Sequence, residues 1–539
     1  MRAPQLSRLL LIPSSRTPQR TSALPQPPKT STMSPHSAVS SQVLIVGAGP
    51  TGYTTAAALA EAGFQNVTIL DARPDATMFE WERAYSLVLT RTGQRLLESL
   101  PKLGELVKRE AICQHVRVDA VLEPDGGVSM SSRRPPAGPM YWLLKTRLLE
   151  IMDEHVRSRY PRVRFITGAS VKDVVLPNAP PAGIAPAAPA QVKVTHAADG
   201  REELLEADLL VACDGSNSVL RTLFSTQGTR VDSTYGTGIY SRPSPATGMC
   251  HKGVVLEARP IISAPGVPVQ YAQPSVVYTL RGARGARDAR TVFDMLLLPV
   301  DVGARTGRRG AITVPAGHAL MEAKDADEAL QLLRDNFPQL RVDECVSQAE
   351  LQKFVTTTAA VFPPVVRPHS LVARFRDVPR QGGVMFIGDA AHSFPPDSSQ
   401  GVNSALQDVD VLLRLARSAV GSGASLHDLL SAYEAARHAE TWALMELVAI
   451  AAPYQYGQNR VGSARAAISR RVRSVMAVVA PGVCSPHVDT LIRQGLTYRD
   501  VRRRDRRSVA VLWVLAGALL TAPLAVAAAA SRGSEDLAV

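Results

Sequence analysis

Residues 43–52 read Val43-Leu-Ile-Val-Gly47-Ala-Gly49-Pro-Thr-Gly52, and this stretch decides the fold expected of the chain. Its four apolar residues predict a short buried strand, and an Ala-rich run with helical spacing follows the glycines. In this arrangement Gly47 permits a tight turn, Gly49 lets the backbone approach a pyrophosphate, and Gly52 lets the helix pack closely on the strand. The free N–H groups at the helix start then face the diphosphate. The stretch therefore predicts a dinucleotide-binding unit.

An acid stands where such a unit requires one. A second predicted strand ends in Asp71, 24 residues after Gly47, where a carboxylate accepts hydrogen bonds from the adenosine ribose. We assign Arg73, two residues further, to the same cofactor site. A glycine turn in another α/β protein is the alternative interpretation, and the motif alone does not distinguish NAD from FAD.

Two later segments each place an Asp and a Gly directly after an apolar strand. They are Leu209-Leu-Val-Ala-Cys-Asp214-Gly215-Ser-Asn-Ser218-Val-Leu-Arg221 and Gly383-Val-Met-Phe-Ile-Gly388-Asp389-Ala-Ala-His392. The first resembles the Asp-Gly motif of the FAD-dependent aromatic hydroxylases, a turn shared by flavin and pyridine-nucleotide binding. The second resembles the family's Gly-Asp motif, in which the Asp contacts the ribityl chain of FAD. Three such segments in this order imply that the cofactor is FAD.

The segment after Asp389 completes the resemblance: Pro395-Pro396-Asp-Ser-Ser-Gln400-Gly401-Val-Asn403-Ser-Ala-Leu-Gln-Asp408. It looks like the loop and helix start that lie against the isoalloxazine ring, which implies flavin contacts at Gly401, Val402 and Asn403. Backbone N–H groups at such a helix start stabilise negative charge on reduced flavin. We interpret His392 as a hydrogen-bonded loop anchor in preference to a catalytic group. For Asn403 both interpretations stay open.

Within this family the chain is similar to the kynurenine 3-monooxygenases over residues 42–495. The segment beginning at Arg83 resembles the one after their second strand, and Lys145-Thr-Arg147-Leu-Leu resembles their flavin-contacting Arg region. The resemblance implies that Arg83 and Arg147 contact the cofactor. The sequence Asp335-Asn-Phe-Pro and the apolar C-terminus are further similarities.

The substrate side of the resemblance is weaker. Arg117 is the candidate counterpart of the Arg that binds the substrate carboxylate in those enzymes, and Tyr141-Trp142 are the aromatic candidates. The family's Phe-Phe-Gly-Gln-Gly loop is Asp397-Ser-Ser-Gln-Gly here, and residues 400–408 are equally similar to phenol hydroxylases. The identity of the aromatic substrate therefore stays open.

The resemblance implies an NAD(P)H-dependent monooxygenase. NADPH or NADH would reduce FAD, O2 would add to it, and the resulting flavin hydroperoxide would hydroxylate an aromatic substrate. A second Gly-x-Gly-x-x-Gly is absent from the sequence, which fits transient nicotinamide binding. The alternatives are an epoxidase, hydroxylase or reductase for a membrane-dissolved isoprenoid, and a flavin-binding protein without turnover. Ser399 and Ala405, where relatives commonly have Gly, prompt the last of these.

The fold class predicted is α/β: a Rossmann-type FAD-binding domain, an inserted sheet-rich substrate domain, and a C-terminal helical region. Five short apolar runs predict its buried strands: Gln42 to Val46, Asn66 to Asp71, Val163 to Thr167, Leu209 to Cys213 and Val384 to Ile387. The predicted divisions are 1–41 (transit-like), 42–227 and 376–420 (FAD-binding, with a Pro/Ala loop at 177–191), 228–375 (substrate), 421–507 (helical) and 508–531 (transmembrane).

Both ends of the chain suggest membranes or organelles. Residues 1–41 are rich in Ser, Thr, Pro and Arg without an acid, which fits a transit peptide or a disordered tail, and Met33 is an alternative start. Val509 to Ala530 is 22 residues without a charge, a transmembrane tail anchor or a buried Ala-rich helix. Arginines before it place the catalytic body on the cytosolic or equivalent face. We expect the mitochondrial outer membrane or a plastid.

Charge and cysteine usage exclude other classes. Nine of the twelve net positive charges lie in residues 1–41 and 502–507, so a broad nucleic-acid surface is not expected. The five cysteines are odd in number, widely spaced and without a C-x-x-C pair, which argues against a disulfide framework and a metal site. Each is expected to be a small buried apolar residue.

Overall fold

The computed structural model of this chain describes residues 38–78, 86–135, 137–176, 189–226, 231–283, 293–300, 307–375, 382–456, 458–514 and 517. The strands are, in chain order, β1 (Gln42–Val46), β2 (Asn66–Asp71), β3 (Ser86–Leu89), β4 (Ile112–Gln114), β5 (Arg117–Leu122), β6 (Val128–Arg133), β7 (Met140–Leu144), β8 (Arg164–Thr167), β9 (Ala169–Val175), β10 (Ala190–His196), β11 (Glu202–Ala207), β12 (Leu209–Ala212), β13 (Val231–Asp232), β14 (Ile239–Arg242), β15 (Cys250–Leu256), β16 (Val277–Leu280), β17 (Met295–Leu297), β18 (Arg308–Val314), β19 (Ala360–Val361), β20 (Val365–Pro368), β21 (Val372–Phe375) and β22 (Gly383–Phe386).

The helices alternate with these strands in the first half of the chain and dominate after β22. They are α1 (Pro50–Ala62), α2 (Arg91–Ser99), α3 (Leu103–Glu110), α4 (Lys145–Arg159), α5 (Val219–Thr226), α6 (Ala326–Asn336), α7 (Val342–Cys345), α8 (Gln348–Thr356), α9 (Gly401–Ser422), α10 (Leu426–Ala451), α11 (Arg460–Val479) and α12 (Val488–Arg493). Residues 498–514 are also helical.

A seven-stranded sheet in the order β13-β21-β22-β12-β1-β2-β8 carries the glycine turn. Strands β22, β12, β1, β2 and β8 run parallel to one another. At one edge, β21 pairs antiparallel with β22, and β13 pairs antiparallel with β21. Every residue of β12 and β22 is buried, as expected when both faces of a parallel sheet are covered. The five strands predicted from the sequence are confirmed, with ends that agree to within one residue.

Parallel pairing brings the three predicted cofactor segments together. Val46 at the end of β1 pairs with Ala212 at the end of β12, and Ala212 pairs with Phe386 at the end of β22. Because parallel strands share one carboxyl edge, the turns that follow these three strands lie side by side.

A second seven-stranded sheet, β19-β15-β18-β17-β16-β5-β6, contains five strands from residues 228–375, the segment predicted to form a sheet-rich substrate domain. Its β5 and β6 come from residues 117–133, inside the segment that the sequence assigned to FAD binding, and β5 pairs in parallel with β16 through Val277 and Asp119. Conversely, β13 and β21 lie within 228–375 but join the first sheet. Composition does not show these crossovers, because which sheet a strand joins depends on contacts between residues that are distant in the chain.

Helices α9 and α10 fasten the C-terminal half to the first sheet. Helix α9 packs against α1 and α2. Helix α10 begins with a capping box, in which the Ser425 hydroxyl accepts the Asp428 N–H and the Asp428 carboxylate accepts the Ser425 N–H. Apolar residues at helical spacing predict a helix from Val402 to Arg417, and α9 extends it by one residue before it and five after it.

Several expectations fall on residues that are not described. They are most of the transit-like segment (1–37), Arg83, most of the predicted Pro/Ala loop (177–188), and most of the predicted transmembrane segment (515, 516 and 518–531). Strand β10 begins at Ala190, so the loop predicted to reach residue 191 ends earlier. Among the described residues, no helix combines the length and the apolarity that a membrane crossing needs.

The cysteine prediction was wrong at one position. Cys213, Cys250, Cys345 and Cys484 are buried, whereas Cys113 is exposed. Cys113 lies on the short strand β4, and its Sγ is 3.4 Å from Nε2 of His115, which is also exposed.

Candidate active site

Close packing of the backbone requires glycine at two positions of the first motif. Gly47 has φ of +105°, and a Cβ there would lie 2.4 Å from the carbonyl oxygen of Cys213. A Cβ on Gly52 would lie 1.8 Å from the carbonyl oxygen of Gly47. The turn therefore packs against the end of β12 without space for a side chain.

Gly49 has a different surrounding. Its φ of −82° and ψ of −178° suit any residue, and a Cβ added to it would meet no atom of the described residues within 4 Å. Gly49 is the N-cap of α1, and no side chain in the described part of the chain caps that helix start. Neither packing nor conformation explains a glycine here, whereas close approach of an anionic ligand to the first N–H groups of α1 does.

Asp71 and Arg73 lie together beside this turn. The Asp71 carboxylate accepts the Ala48 N–H at 2.6 Å and forms an ion pair with Arg73 at 2.9 Å between Oδ1 and Nε. Burial alone would raise the pKa of Asp71, but the hydrogen bonds from Arg73 and Ala48 outweigh it, and the pKa is lowered. The carboxylate is thus charged and held at the end of β2, where the ribose was predicted.

Asp214 follows β12 and carries an unsatisfied oxygen. Its Oδ2 accepts the Leu220 N–H at 3.2 Å, while Oδ1 is buried and has no hydrogen-bond partner in the described part of the chain. Burial raises the pKa of this carboxyl. The neighbouring Gly215 has φ of +82° and open space where a Cβ would be. A buried oxygen without a donor, next to open space, fits a ligand hydroxyl or amide.

Arg221 links the Asp-Gly turn to the Gly-Asp turn. Its Nη1 donates to the carbonyl oxygens of Asp389 at 3.1 Å and Ala390 at 2.9 Å, and its Nη2 donates to that of Ser216 at 2.5 Å. The guanidinium is buried, which lowers its pKa. No role was predicted for Arg221 from the sequence, because the carbonyl oxygens of Asp389 and Ala390 belong to residues 168 and 169 positions away.

Asp389 is an exposed residue surrounded by protein charges. The protein around it desolvates the carboxyl and raises its pKa, while His392, Lys145 and Arg221 act in the opposite direction. An exposed carboxyl with these neighbours fits the floor of a cleft. Lys145, the first residue of α4, was not predicted as a site residue, although its segment was recognised.

Arg147, which was predicted, faces elsewhere. Its Nη1 lies 2.8 Å from Glu150, its Nη2 lies 3.2 Å from Glu110, and its side chain is 43% exposed. Helix geometry separates the two basic residues, since positions two apart on a helix do not share a face. The structure therefore brings Lys145, and not Arg147, to Asp389.

His392 belongs to a buried ionic network beneath this turn. Its Nε2 is 2.7 Å from Oδ2 of Asp408, and Asp408 also accepts the Gly388 N–H at 3.0 Å and the Arg437 Nε at 2.8 Å. Burial would raise the pKa of Asp408, but Arg437 and His392 outweigh it and the pKa is lowered. All three side chains are at most 1% exposed, so the geometry fits a loop anchor and leaves His392 away from solvent.

Asn403 is also committed to the fold. Its Oδ1 accepts the Thr90 N–H at 2.8 Å, and its Nδ2 donates to the carbonyl oxygens of Val88 at 2.9 Å and Ser399 at 3.0 Å. Gly93 makes room for it, because a Cβ there would lie 2.7 Å from Oδ1. Both amide hydrogens are used, so Asn403 positions β3 against the start of α9.

The start of α9 is open. Among the described residues, a Cβ on Gly401 would meet no atom within 4 Å, and no side chain caps the helix at Gln400. Val402 is half-buried beside it. Ser399, just before, has φ of +53°, a left-handed conformation that favours glycine. The first N–H groups of α9 are thus available to an anionic group, as at α1.

The substrate candidates lie on the second sheet and next to it. Arg117 is paired with Asp119 at 2.8 Å, and its side chain is 18% exposed. Trp142 is buried in an apolar cluster with Val88, and its Nε1 donates to the Gln114 Oε1 at 2.7 Å. Tyr141 points to the other side of β7, near Lys108. Trp142 therefore lies where the second sheet meets β3.

A family model described as an FAD binding domain matches residues 40–241 and 331–448, which include all three turns. The chain belongs to this FAD-binding family. The match confirms the cofactor implied by the Asp214 and Asp389 motifs.

Curated relatives narrow the class of this FAD-binding protein. The kynurenine 3-monooxygenase of Salinispora tropica is 25% identical over 518 residues, which are 91% of this chain and 97% of the relative. That of Salinispora arenicola is 26% identical over 515 residues, 91% and 96% of the two chains. The chain is an FAD-dependent monooxygenase of the aromatic-hydroxylase type.

Solved structures share the fold. PqsL of Pseudomonas aeruginosa, in complex with 2-aminobenzoylacetate, is 19% identical with a TM-score of 0.51, covering 79% of this chain and 99% of that one. The 2-methyl-3-hydroxypyridine-5-carboxylic acid oxygenase is 18% identical with a TM-score of 0.52, covering 79% and 93%. Both likenesses support the α/β architecture described above.

The residues present fit FAD. The open space at Gly49 and the uncapped start of α1 suit the pyrophosphate, and Asp71 suits the adenosine ribose. The unsatisfied Asp214 oxygen and the exposed Asp389 suit the rest of the cofactor, which leaves the uncapped start of α9 for its ring. Arg221 and the Asp408 network hold these turns in register without being exposed themselves.

Proposed function

We propose that the chain uses NADPH or NADH and O2 to hydroxylate a small aromatic substrate. The observation that carries the proposal is the meeting of three turns at one sheet edge. There Gly49 is open, an Asp214 oxygen lacks a partner, Asp389 is exposed, and α9 begins without a cap. A site of this kind binds and orients a flavin and leaves the redox chemistry to it.

The chain's own residues bind, orient and shield. FAD, when bound, supplies the electron transfer and the activation of O2. The N–H groups at the start of α9 favour negative charge beside them by the helix dipole and by hydrogen bonding. The apolar cluster around Trp142 excludes water where the second sheet meets β3. Arg221 and Asn403 keep the turns and α9 in place.

Asp397 is a proton-holding group in the loop that leads into α9. Burial raises its pKa to about 6. A carboxyl of this kind exchanges a proton near neutral pH. It stands in the loop where the kynurenine 3-monooxygenase family has Phe-Phe.

Kynurenine and simple phenols are the first substrates to test. Purified full-length protein is checked for bound FAD by its absorbance, and NADPH and NADH oxidation is followed with each compound together with product analysis. We expect oxidation that a substrate stimulates and a hydroxylated product. Bound FAD without nicotinamide oxidation, in the presence or absence of each compound, would contradict hydroxylation and support a flavin-binding role without turnover. The left-handed Ser399, at a position where relatives commonly have Gly, favours that outcome.

An isoprenoid-type substrate is the second candidate. The observation that favours it is the 22-residue uncharged run Val509 to Ala530, which would keep the active site at a membrane where such substrates dissolve. Product formation from an isoprenoid in vesicles, with kynurenine and phenols inactive, would select this candidate.

We further propose that residues 508–531 anchor the protein to the mitochondrial outer membrane or to a plastid. Arginines 502–504, 506 and 507 before this run favour a cytosolic catalytic body by the positive-inside tendency. Fluorescent fusions with and without residues 1–32, and with and without 509–539, would assign the organelle. Release of the full chain from membranes by alkaline carbonate would contradict a spanning anchor.

A further inference from the structure

Helix α11 presents apolar side chains to solvent along its length. Val461, Ile468 and Val475 are 64%, 62% and 60% exposed, and Val472 and Val479 are exposed as well. Their spacings of seven, four, three and four residues place all five on one helix face. We call this face the α11 stripe. Among the described side chains of α11, Arg473 alone is buried, so no described residue covers the stripe.

Further exposed apolar side chains lie on the segment after α11 and on the helix that contacts it. Arg473 Nη1 lies 2.7 Å from Asp505 Oδ1, and the Ser485 N–H donates to the Ser508 hydroxyl at 2.8 Å. These contacts hold α11 and the segment after it beside helix 498–514. Val483 on that segment and Trp513 on that helix are 45% and 75% exposed. Trp is enriched at membrane–water interfaces, where its ring meets the headgroup level.

The charge around the stripe has one sign. From Ala451 to Val488 the chain carries five arginines and no acidic residue. Arg465, Arg470 and Arg471 on α11 are exposed. A helix with an exposed apolar face and only basic charge matches the surface of an anionic bilayer.

We propose that α11 lies side-on in the interface of an anionic lipid membrane, with the stripe at the acyl boundary and its exposed arginines at lipid phosphates. Pairing of two α11 stripes from two copies is disfavoured, because it would set arginines against arginines without an acid to compensate. The contact involves a different segment from the proposed tail anchor and does not depend on it.

A fluorescent probe on the stripe tests the proposal. The full chain carries Cys113→Ser to remove the exposed thiol, and either Val475→Cys or the neighbouring control Ser474→Cys is labelled with an environment-sensitive dye. The protein is reconstituted into vesicles of phosphatidylcholine alone or with phosphatidylserine. We expect a blue shift at position 475 in anionic vesicles that weakens with added salt, and none at position 474.

Other results overturn the proposal. An unshifted probe at 475 in anionic vesicles means that the stripe stays in water. An equal shift in neutral vesicles means that the apolar surroundings of the dye do not depend on anionic lipid, which contradicts an anionic membrane as the occupant. Alkaline extraction reports on the tail anchor separately, so the two failures are distinguishable.

A polar substitution on the stripe gives a second readout. With the dye at Val472→Cys, one turn away, Val475→Gln is expected to abolish the shift in anionic vesicles, and the matched variant Ser474→Gln to preserve it. Flavin absorbance confirms that both variants are folded. Equal behaviour of the two variants would contradict insertion of the stripe.

Discussion

At the scale of single residues, the site depends on side chains that hold backbone in place as much as on those that face a ligand. Arg221 donates to carbonyl oxygens in two turns, and Asp408 accepts a backbone N–H from a third position. The exposed groups, such as Asp389, then have defined positions. Two classes of variant are therefore expected. Changes to the exposed groups should lose the cofactor, and changes to the buried groups should lower the stability of the fold.

Replacing Asp389 tests the first class. Asp389→Ala removes an exposed carboxyl that the fold does not need, so we expect a folded protein that loses FAD during gel filtration. Asp389→Asn keeps the shape of the side chain and an oxygen that accepts hydrogen bonds, and is expected to retain more FAD than Asp389→Ala. The ratio of flavin to protein absorbance measures both. Full occupancy in Asp389→Ala would contradict its assignment to the flavin.

Replacing Arg221 tests the second class. Arg221→Met leaves buried carbonyl oxygens without a donor, each at a cost of ~1–3 kcal/mol. We expect a lower free energy of unfolding and FAD binding weakened by about tenfold or more. Arg221→Lys keeps the charge but lacks the planar guanidinium with its several donors. Its stability and FAD affinity should lie between those of the unchanged protein and Arg221→Met. Urea unfolding and FAD titration provide the measurements, and unchanged FAD affinity in Arg221→Met would refute a positioning role.

His251 makes stability depend on pH. Burial lowers its pKa to about 4, and its Nδ1 is 3.0 Å from the Thr313 hydroxyl. The unfolded chain, with a pKa of ~6.5, binds the proton first, so the free energy of unfolding falls as pH drops from about 6.5 towards 4, by at most ~3 kcal/mol for this group. Urea unfolding across this pH range should show that the free energy of unfolding of His251→Asn depends less steeply on pH than that of the unchanged protein. The exposed His115→Asn is the control, and an identical slope in His251→Asn would exclude the assignment.

At the scale of elements, the strand–turn–helix unit contains glycines of two kinds. A Cβ at Gly52 meets backbone at 1.8 Å, whereas one at Gly49 meets nothing. Gly52→Ala should therefore prevent folding. Gly49→Ala should fold normally and bind FAD about tenfold more weakly or worse, because the methyl group occupies space left for the pyrophosphate at ~1–3 kcal/mol. Thermal unfolding of apoprotein and FAD titration separate the two effects. Normal FAD affinity in Gly49→Ala would show that the open space serves another purpose.

The elements themselves were predictable where one local pattern sufficed. β1, β2 and β12 combine apolar runs with glycines and acids, and their ends agree with the structure. Contacts between distant positions were not predictable. Asn403 binds the Thr90 N–H across 313 positions, and Lys145 at the start of α4 acts electrostatically on Asp389.

At the scale of the whole molecule, the chain enters its second large sheet twice, with β5 and β6 and again with β15 to β19, and it returns to the first sheet each time. Which sheet a strand joins depends on contacts between distant residues. The sequence therefore predicted a sheet-rich segment at 228–375 but did not show that β5 and β6 join its sheet or that β13 and β21 join the first. One result of this crossing is that Arg117 and Trp142 come from the first third of the chain yet lie on or beside the second sheet.

This arrangement predicts that substrate binding and FAD binding are separable. Arg117 is paired with Asp119 on β5, away from the cofactor turns. Arg117→Gln should raise KM for an acidic substrate about tenfold or more, the cost of a charge-assisted hydrogen bond, with little change for a neutral one. Asp119→Asn removes the negative charge beside the guanidinium and should lower KM for the acidic substrate. FAD occupancy should be unchanged in both variants. If acidic and neutral substrates respond alike, or if Asp119→Asn raises KM as much as Arg117→Gln does, the pair stabilises β5 and does not bind substrate.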